Sequence, residues 1–217
     1  AIDLADAGHQ VVQVGFGHHD ERIMVMNWIT SGDLKVDWTI RVDGLTAVML
    51  VVVTLVALLV HVFSIGYMHG DPKYPLFFAW LQMFSVAMLI LVLAGNLLHH
   101  FIGWELVGLC SYKLIGFWSE KKAPGNAARK AFITTRIGDL GMLVGIMAIY
   151  AAVGSFEFEK IFAAAQAGQI SDGWLLVAAL GLFFAAVGKR AQMPLHVRLP
   201  DAMGGPTPVS ALIHAAT

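Results

Sequence analysis

Two long stretches without a charged side chain constrain this chain more than any other feature of its sequence. Residues Gly44 to Met68 contain no Asp, Glu, Lys or Arg, and neither do residues Tyr74 to Trp104. A helix needs about 20 residues to cross the ~30 Å hydrocarbon core of a bilayer. The first stretch is therefore long enough to cross once, and the second is too long for one helix. We predict a turn at Asn96 to His100 that divides the second stretch.

The composition excludes several classes of protein. Of the 217 residues, 58% are hydrophobic and 13% are charged, and the mean hydropathy is +0.71, whereas a soluble domain has about 25% charged residues. The net charge is −1 and there is no basic tail, so we expect no nucleic-acid partner. The single cysteine, Cys110, cannot form an internal disulfide and is interpreted as a small packing residue.

The predicted fold class is all-α, a polytopic transmembrane helix bundle. Apolar periodicity and length predict helices at about 44–68, 75–95, 97–118, 131–153 and 173–189, with a sixth starting near residue 206. The loop 119–130 carries four basic residues and one acid, which places it on the inner side of the membrane. By alternation, residues 1–43 are an extracytoplasmic segment, and the loop 154–172 is also outside. This loop is expected to hold a short surface helix around Phe158 and Phe162.

Glu105 is the most informative ionisable residue, because it falls inside a predicted span. A charge at the bilayer centre costs at least about 2.5–3.5 kcal/mol, so the residue must face a bundle interior, a partner or water. Its neighbours Gly103 and Gly108 permit close helix approach. We interpret Glu105 as a proton-exchanging carboxyl group, and a structural ion pair that locks two helices remains the alternative.

Further charges lie inside or beside the later spans. Arg136 and Asp139 are three residues apart, so they share a helix face and can pair locally. Lys189 ends the apolar run that starts at Trp174 and stands shortly before Pro194, which breaks the helix. Broken helices expose carbonyl groups that attract ions and water. A lysine that only reaches toward the inner interface is the alternative.

The end of the chain combines helix breakers with a histidine. Four prolines and two glycines prevent a continuous helix between Lys189 and the last predicted span: Pro194, Pro200, Gly204, Gly205, Pro206 and Pro208. His214 lies in that span, and its ordinary pKa of about 6.5 suits a proton relay. The pairs His18–His19 and His99–His100 are expected in a solvated cluster and at the outer turn, and we predict no metal site.

Five segments of the chain, in this order and spacing, closely resemble the antiporter-like subunit L of NADH:quinone oxidoreductase, respiratory complex I. They are Gly103–Tyr112 (GWELVGLCSY), Thr135–Asp139 (TRIGD), Gly188–Lys189, Ala191–His196 (AQMPLH) and Gly205–Thr217 (GPTPVSALIHAAT). The resemblance covers essentially the whole chain. It implies that residues 44–217 are a fragment of a larger proton-translocating domain.

The resemblance also implies roles for individual residues. Glu105 and Lys189 match the family's charge pair, His214 a proton relay, and Arg136 with Asp139 its supporting charges. The expected function is proton translocation across an energy-transducing membrane, either the bacterial cytoplasmic membrane or the mitochondrial inner membrane. The partners implied are the lipid bilayer and other membrane-arm subunits of complex I.

The chain itself is expected to hold no cofactor and to perform no redox chemistry. The resemblance assigns FMN, iron–sulfur clusters and quinone to partner subunits of the enzyme. Three positions depart from the family pattern by adding positive charge near the proposed path: Lys113, Arg190 and Arg198. Two other functions stay open: the large subunit of a multi-subunit sodium/proton antiporter, and a structural membrane scaffold.

Overall fold

The computed structural model describes residues 21–32, 34–120, 122–193, 195–196 and 203–216. It shows a bundle of helices with a β-hairpin at one end. The hairpin consists of β1 (Glu21–Ser31) and β2 (Leu34–Val42). The helices are α1 (Gly44–Tyr67), α2 (Tyr74–Val92), α3 (Leu97–Ile115), α4 (Lys122–Val153), α5 (Phe158–Gln166), α6 (Asp172–Arg190) and α7 (Thr207–Ala216).

The polytopic helix bundle predicted from the sequence is confirmed. In the described part of the chain, four helices are long and apolar enough to cross a membrane: α1, α2, α4 and α6. The third predicted span, 97–118, corresponds to α3, which contacts both α2 and α4 and carries Glu105 and Lys113. Large apolar side chains are exposed along the outer face of α1, for example Leu45, Leu58 and Leu59. An apolar face of this size is suited to lipid or to further protein rather than to water.

One helix start and one turn differ from the predicted positions. Helix α4 begins at Lys122 rather than at residue 131, because alanines in the basic segment favour helix and Pro124 lies in the first turn, where proline is tolerated. The predicted turn at Asn96 to His100 is wrong in position. The chain turns before Asn96, whose side-chain oxygen accepts a hydrogen bond from the amide of His99 at 2.7 Å and caps α3.

The core has two parts. The larger part joins α1, α2, α3 and α7 around the fully buried side chains Phe77, Phe84, Leu114 and Leu212. In the second part, α4 and α6 lie against each other through small residues. A Cβ atom added at Gly181 of α6 would lie 2.5 Å from the carbonyl oxygen of Gly141 in α4. This close approach of two backbones is typical of packed membrane helices.

The β-hairpin was not predicted from the sequence, and it closes one end of the bundle. The backbone amide of Gly95 donates to the carbonyl of Thr39 at 3.0 Å, and the amide of Arg41 donates to Leu93 at 3.0 Å. These bonds attach β2 to the turn between α2 and α3. The same end holds the short surface helix predicted in the outer loop, which is α5.

An ion pair joins the hairpin to the segment before α5. The guanidinium of Arg22 in β1 lies 3.1 Å from the carboxylate of Glu157. The hydrogen bond from Arg22 holds the pKa of Glu157 below its ordinary value, against the opposing effect of partial burial. The hairpin, the α2–α3 turn and the α5 segment therefore form one connected layer.

Helix α6 ends one residue after Lys189, as the predicted break requires. Ala191 has a left-handed backbone with φ of 53°, and the amide of Gln192 donates to the carbonyl of Val187 at 3.0 Å. Helix α7 begins at Thr207. Pro194, Pro200 and Arg198 lie outside the described residues.

Candidate functional site

Three helices bring most of the predicted site residues together. Glu105 lies on α3, Arg136 and Asp139 lie on α4, and Lys189 lies in the last turn of α6. Because α4 packs closely on α6 and also contacts α3, the three helices meet around one side chain, Trp104.

Lys189 points from α6 toward α3. Its ammonium group donates a hydrogen bond to the backbone carbonyl of Trp104 at 2.5 Å, and it lies 4.5 Å from the centre of the Trp104 ring. Gly108, one helical turn further on, leaves the room for this contact, since a Cβ atom there would be 3.3 Å from the lysine nitrogen. The lysine is therefore docked on the face of α3 formed by Trp104 and Gly108.

Glu105 makes its ion pair with Arg136. The two side chains are in direct contact, and Arg136 also lies 3.9 Å from the carboxylate of Asp139. The carboxyl side chains are shielded to different degrees, with 20% of Glu105 and 7% of Asp139 exposed. Arg136 thus shares one positive charge between two acids on neighbouring helices, which stabilises both in a poorly solvated place.

Trp104 connects these two groups of charges and was not singled out as a site residue by sequence reasoning. Its indole N–H donates to the carboxylate of Asp139 at 2.6 Å, while its carbonyl and ring hold Lys189. One residue thus contacts the lysine on one side and the acid–arginine cluster on the other. The sequence signal was its position directly before Glu105.

Two cavities lie beside the site. A cavity of about 240 Å³ reaches Lys189 and Trp104 between α2, α3 and α6. A groove of about 570 Å³ between α3 and α4 is lined by Glu105, Arg136 and Asp139 together with apolar side chains. A cavity of either size can hold several water molecules next to the charged groups.

The remaining predicted residues lie apart from this cluster. His214 is on α7, which packs on α1 and α3, and its side chain is exposed. His99 is buried within α3, where its ring lies 3.2 Å from the carbonyl oxygen of Thr39, so the predicted position in the outer turn is wrong. Within the described residues no cluster of three metal-ligating side chains is found.

The helices and the charged cluster define a membrane-embedded, multi-pass protein of the antiporter-like class. Residues 94–217 match the family model described as NADH:quinone oxidoreductase/Mrp antiporter, transmembrane. Residues 28–78 match the model described as NADH-ubiquinone oxidoreductase (complex I), chain 5 N-terminus. The chain therefore belongs to the NADH:quinone oxidoreductase/Mrp antiporter family.

Curated relatives of the chain are NAD(P)H-quinone oxidoreductase chains. The chain is 49% identical over 203 residues to NAD(P)H-quinone oxidoreductase chain 5 of Picosynechococcus sp., covering 92% of this chain and 31% of that protein. It is 50% identical over 195 residues to the chloroplastic subunit 5 of Anthoceros angustus, covering 88% and 27%.

A solved structure of the Mrp complex from Dietzia sp. superposes with a TM-score of 0.79 at 26% identity. The match covers 97% of this chain and 23% of that chain. The chain thus spans less than a third of the length of the relatives it matches.

Proposed function

We propose that this chain carries part of a proton path in an antiporter-like subunit of NADH:quinone oxidoreductase. The observation that carries the proposal is the docking of Lys189 on Trp104, beside the cluster of Glu105, Arg136 and Asp139. A lysine in a cavity between helices, next to a carboxylate that can exchange partners, is suited to binding and releasing a proton.

The mechanism follows from electrostatics. A nearby carboxylate increases the proton affinity of a lysine, and removal of that carboxylate lowers it. When Glu105 pairs with Arg136, the positive charge of this α4 residue compensates the negative charge of Glu105. A displacement of Arg136 toward Asp139, already 3.9 Å away, would free Glu105 to act on Lys189. The proposed cycle alternates between these two pairings and so loads and unloads the lysine.

Electron transfer belongs to partner subunits in this proposal. FMN, iron–sulfur clusters and quinone are assigned to them, and the chain acts as a translocating part of the enzyme rather than as a redox centre. The proposed partners are other membrane-arm subunits and the lipid bilayer. The proposed location is an energy-transducing membrane, such as a bacterial cytoplasmic or a mitochondrial inner membrane. His214 is proposed as a further proton relay on α7.

A second candidate is the large subunit of a sodium/proton antiporter. The fold similarity to the Mrp complex supports it, and the charged cluster suits either function. The higher identity to NAD(P)H-quinone oxidoreductase chains favours the first candidate. Proton uptake that requires NADH and quinone supports the first, whereas proton movement driven by a sodium gradient alone supports the second.

The decisive experiment measures proton uptake in vesicles that contain the assembled parent complex. We expect Glu105→Gln and Lys189→Ala each to abolish most of the uptake while quinone reduction in uncoupled vesicles persists. The matched controls are Glu159→Gln and Lys160→Ala, because both residues lie exposed on α5, with 61% and 63% of their side chains accessible. Normal uptake in the first two variants would leave the cluster with only a structural role, as in a scaffold subunit.

A further inference from the structure

A further cavity, bordered by two cations, lies at the end of the bundle opposite the hairpin. It measures about 450 Å³ and is formed by the ends of α2, α3 and α4. Lys113 of α3 and Arg129 of α4 both line it, together with the aromatic side chains Trp80, Tyr112 and Phe117. This cavity is separate from the cluster around Trp104, and the proposed proton path does not use it.

Both cations lack an acidic partner among the residues that the structure describes. The side chain of Lys113 is exposed and lies 5.9 Å and 5.7 Å from the ring centres of Trp80 and Tyr112. Arg129 donates to the carbonyl of Gly125 in its own helix at 3.4 Å. The acid of the neighbouring loop, Glu120, is already paired with Lys73. Two positive charges therefore border one cavity, and no acidic side chain in the described part of the chain pairs with either of them.

The position of the cavity in the bundle indicates how deep in the membrane a bound ligand would lie. Lys113 lies in the last turn of α3, and Arg129 lies near the start of α4, on either side of the loop between these helices. Helix ends of this kind lie at the level of the lipid headgroups, where tryptophan and tyrosine are enriched. A ligand in the cavity is thus held at the membrane interface rather than in bulk water.

We propose that this cavity binds the phosphate of an anionic phospholipid. A phosphate diester offers oxygen acceptors to Lys113 and to the guanidinium of Arg129 at the same time. The aromatic walls accommodate the glycerol backbone, and the acyl chains continue along the apolar faces of α2 and α4. Basic pockets between membrane helices near the inner leaflet are suited to such headgroups. The volume is in the range of ordinary small-molecule sites.

Lys113 is the residue that gives the site its selectivity. Both side chains are exposed, and screening weakens the attraction of an exposed charge for an anion. The lysine, however, also lies over two aromatic rings at the cavity wall. We therefore expect its loss to remove the preference for an anionic headgroup, with a smaller effect from loss of Arg129.

The experiment measures lipid retention by the full-length protein in its complex. The purified complex is placed in nanodiscs that contain phosphatidylglycerol or phosphatidylcholine, stripped with detergent, and analysed by native mass spectrometry for bound lipid. We expect the parent to retain phosphatidylglycerol over phosphatidylcholine, and Lys113→Leu to weaken this retention about tenfold, which corresponds to about 1.4 kcal/mol. Lys113→Arg should keep the preference, which separates loss of charge from loss of folding.

The controls test whether the cavity binds the phosphate of a lipid or free inorganic phosphate. Lys35→Gln removes a charge from the exposed surface of the hairpin at the opposite end and should leave retention unchanged. Addition of inorganic phosphate should not displace the lipid. Displacement by inorganic phosphate would show a free-anion site instead, and equal retention by the parent and Lys113→Leu would show that the lipid binds elsewhere. Either result would overturn the proposal.

Discussion

The contact between Trp104 and its two partners supports a quantitative prediction about proton uptake. Trp104→Phe removes the indole N–H and keeps an aromatic ring at nearly the same place. The carboxylate of Asp139 then loses a donor that lies at 2.6 Å, and only 7% of this side chain is exposed to a replacement from solvent. The substitution therefore tests the link between the lysine and the acid–arginine cluster without removing either charge.

The expected magnitude follows from the contacts. A hydrogen bond to a charged group contributes about 1.5–3 kcal/mol. Trp104 is only partly buried, so we take the lower end of this range, which corresponds to about a tenfold change in an equilibrium constant. Because Asp139 would then compete for Arg136, the pairing of Glu105 with Arg136 should weaken. We expect coupled proton uptake to fall about tenfold at the same rate of quinone reduction.

The assay compares three forms of the assembled complex in vesicles. The parent and Trp104→Phe are measured for proton uptake and for quinone reduction across a range of pH. Trp174→Phe is the matched control, because Trp174 is exposed near the start of α6, with 48% of the residue accessible. Uptake equal to the parent in Trp104→Phe, with an unchanged pH profile, would refute the proposed coupling through Trp104.

Two further predictions concern packing and pH. Gly181→Ala should destabilise the α4–α6 pair by a few kcal/mol, because the added methyl group would meet a backbone oxygen of α4 at 2.5 Å. The control Gly173→Ala places its methyl group in open space on the same helix and should not destabilise the pair. Thermal unfolding of the complex in detergent measures the difference. The Arg22–Glu157 pair should attach the hairpin less firmly at acidic pH. Arg22 lowers the pKa of Glu157. The stabilising effect of the ion pair is therefore complete at pH values above the ordinary glutamate pKa of about 4.3, and it is lost as the pH falls through the lowered pKa. Hydrogen exchange of β1, corrected for intrinsic rates, should increase over that pH range in the parent and already at neutral pH in Glu157→Gln. It should not increase at neutral pH in Glu120→Gln, whose carboxylate pairs with Lys73 instead. Protection of β1 that is independent of pH would contradict the attribution.

The sequence determined the main architecture because a bilayer imposes few alternatives. Long stretches without charge must be helical in lipid, since every backbone polar group needs a partner within its own segment. The uncharged stretches predicted the helices from Gly44 onward, and Pro194 predicted the end of α6 beside Lys189. Charged residues in such helices are costly, so Glu105, Arg136 and Asp139 could be selected before any contact was known.

Only the tertiary structure decided how these charges are paired. Helix periodicity places Arg136 and Asp139 on one face, but it does not show that Arg136 reaches across to Glu105. The role of Trp104 depends on α6 lying close enough for Lys189 to contact its carbonyl, which in turn depends on the glycines between α4 and α6. The hairpin was missed for a related reason. Its strands are stabilised by hydrogen bonds to Leu93 and Gly95, which are distant in sequence and leave no local pattern.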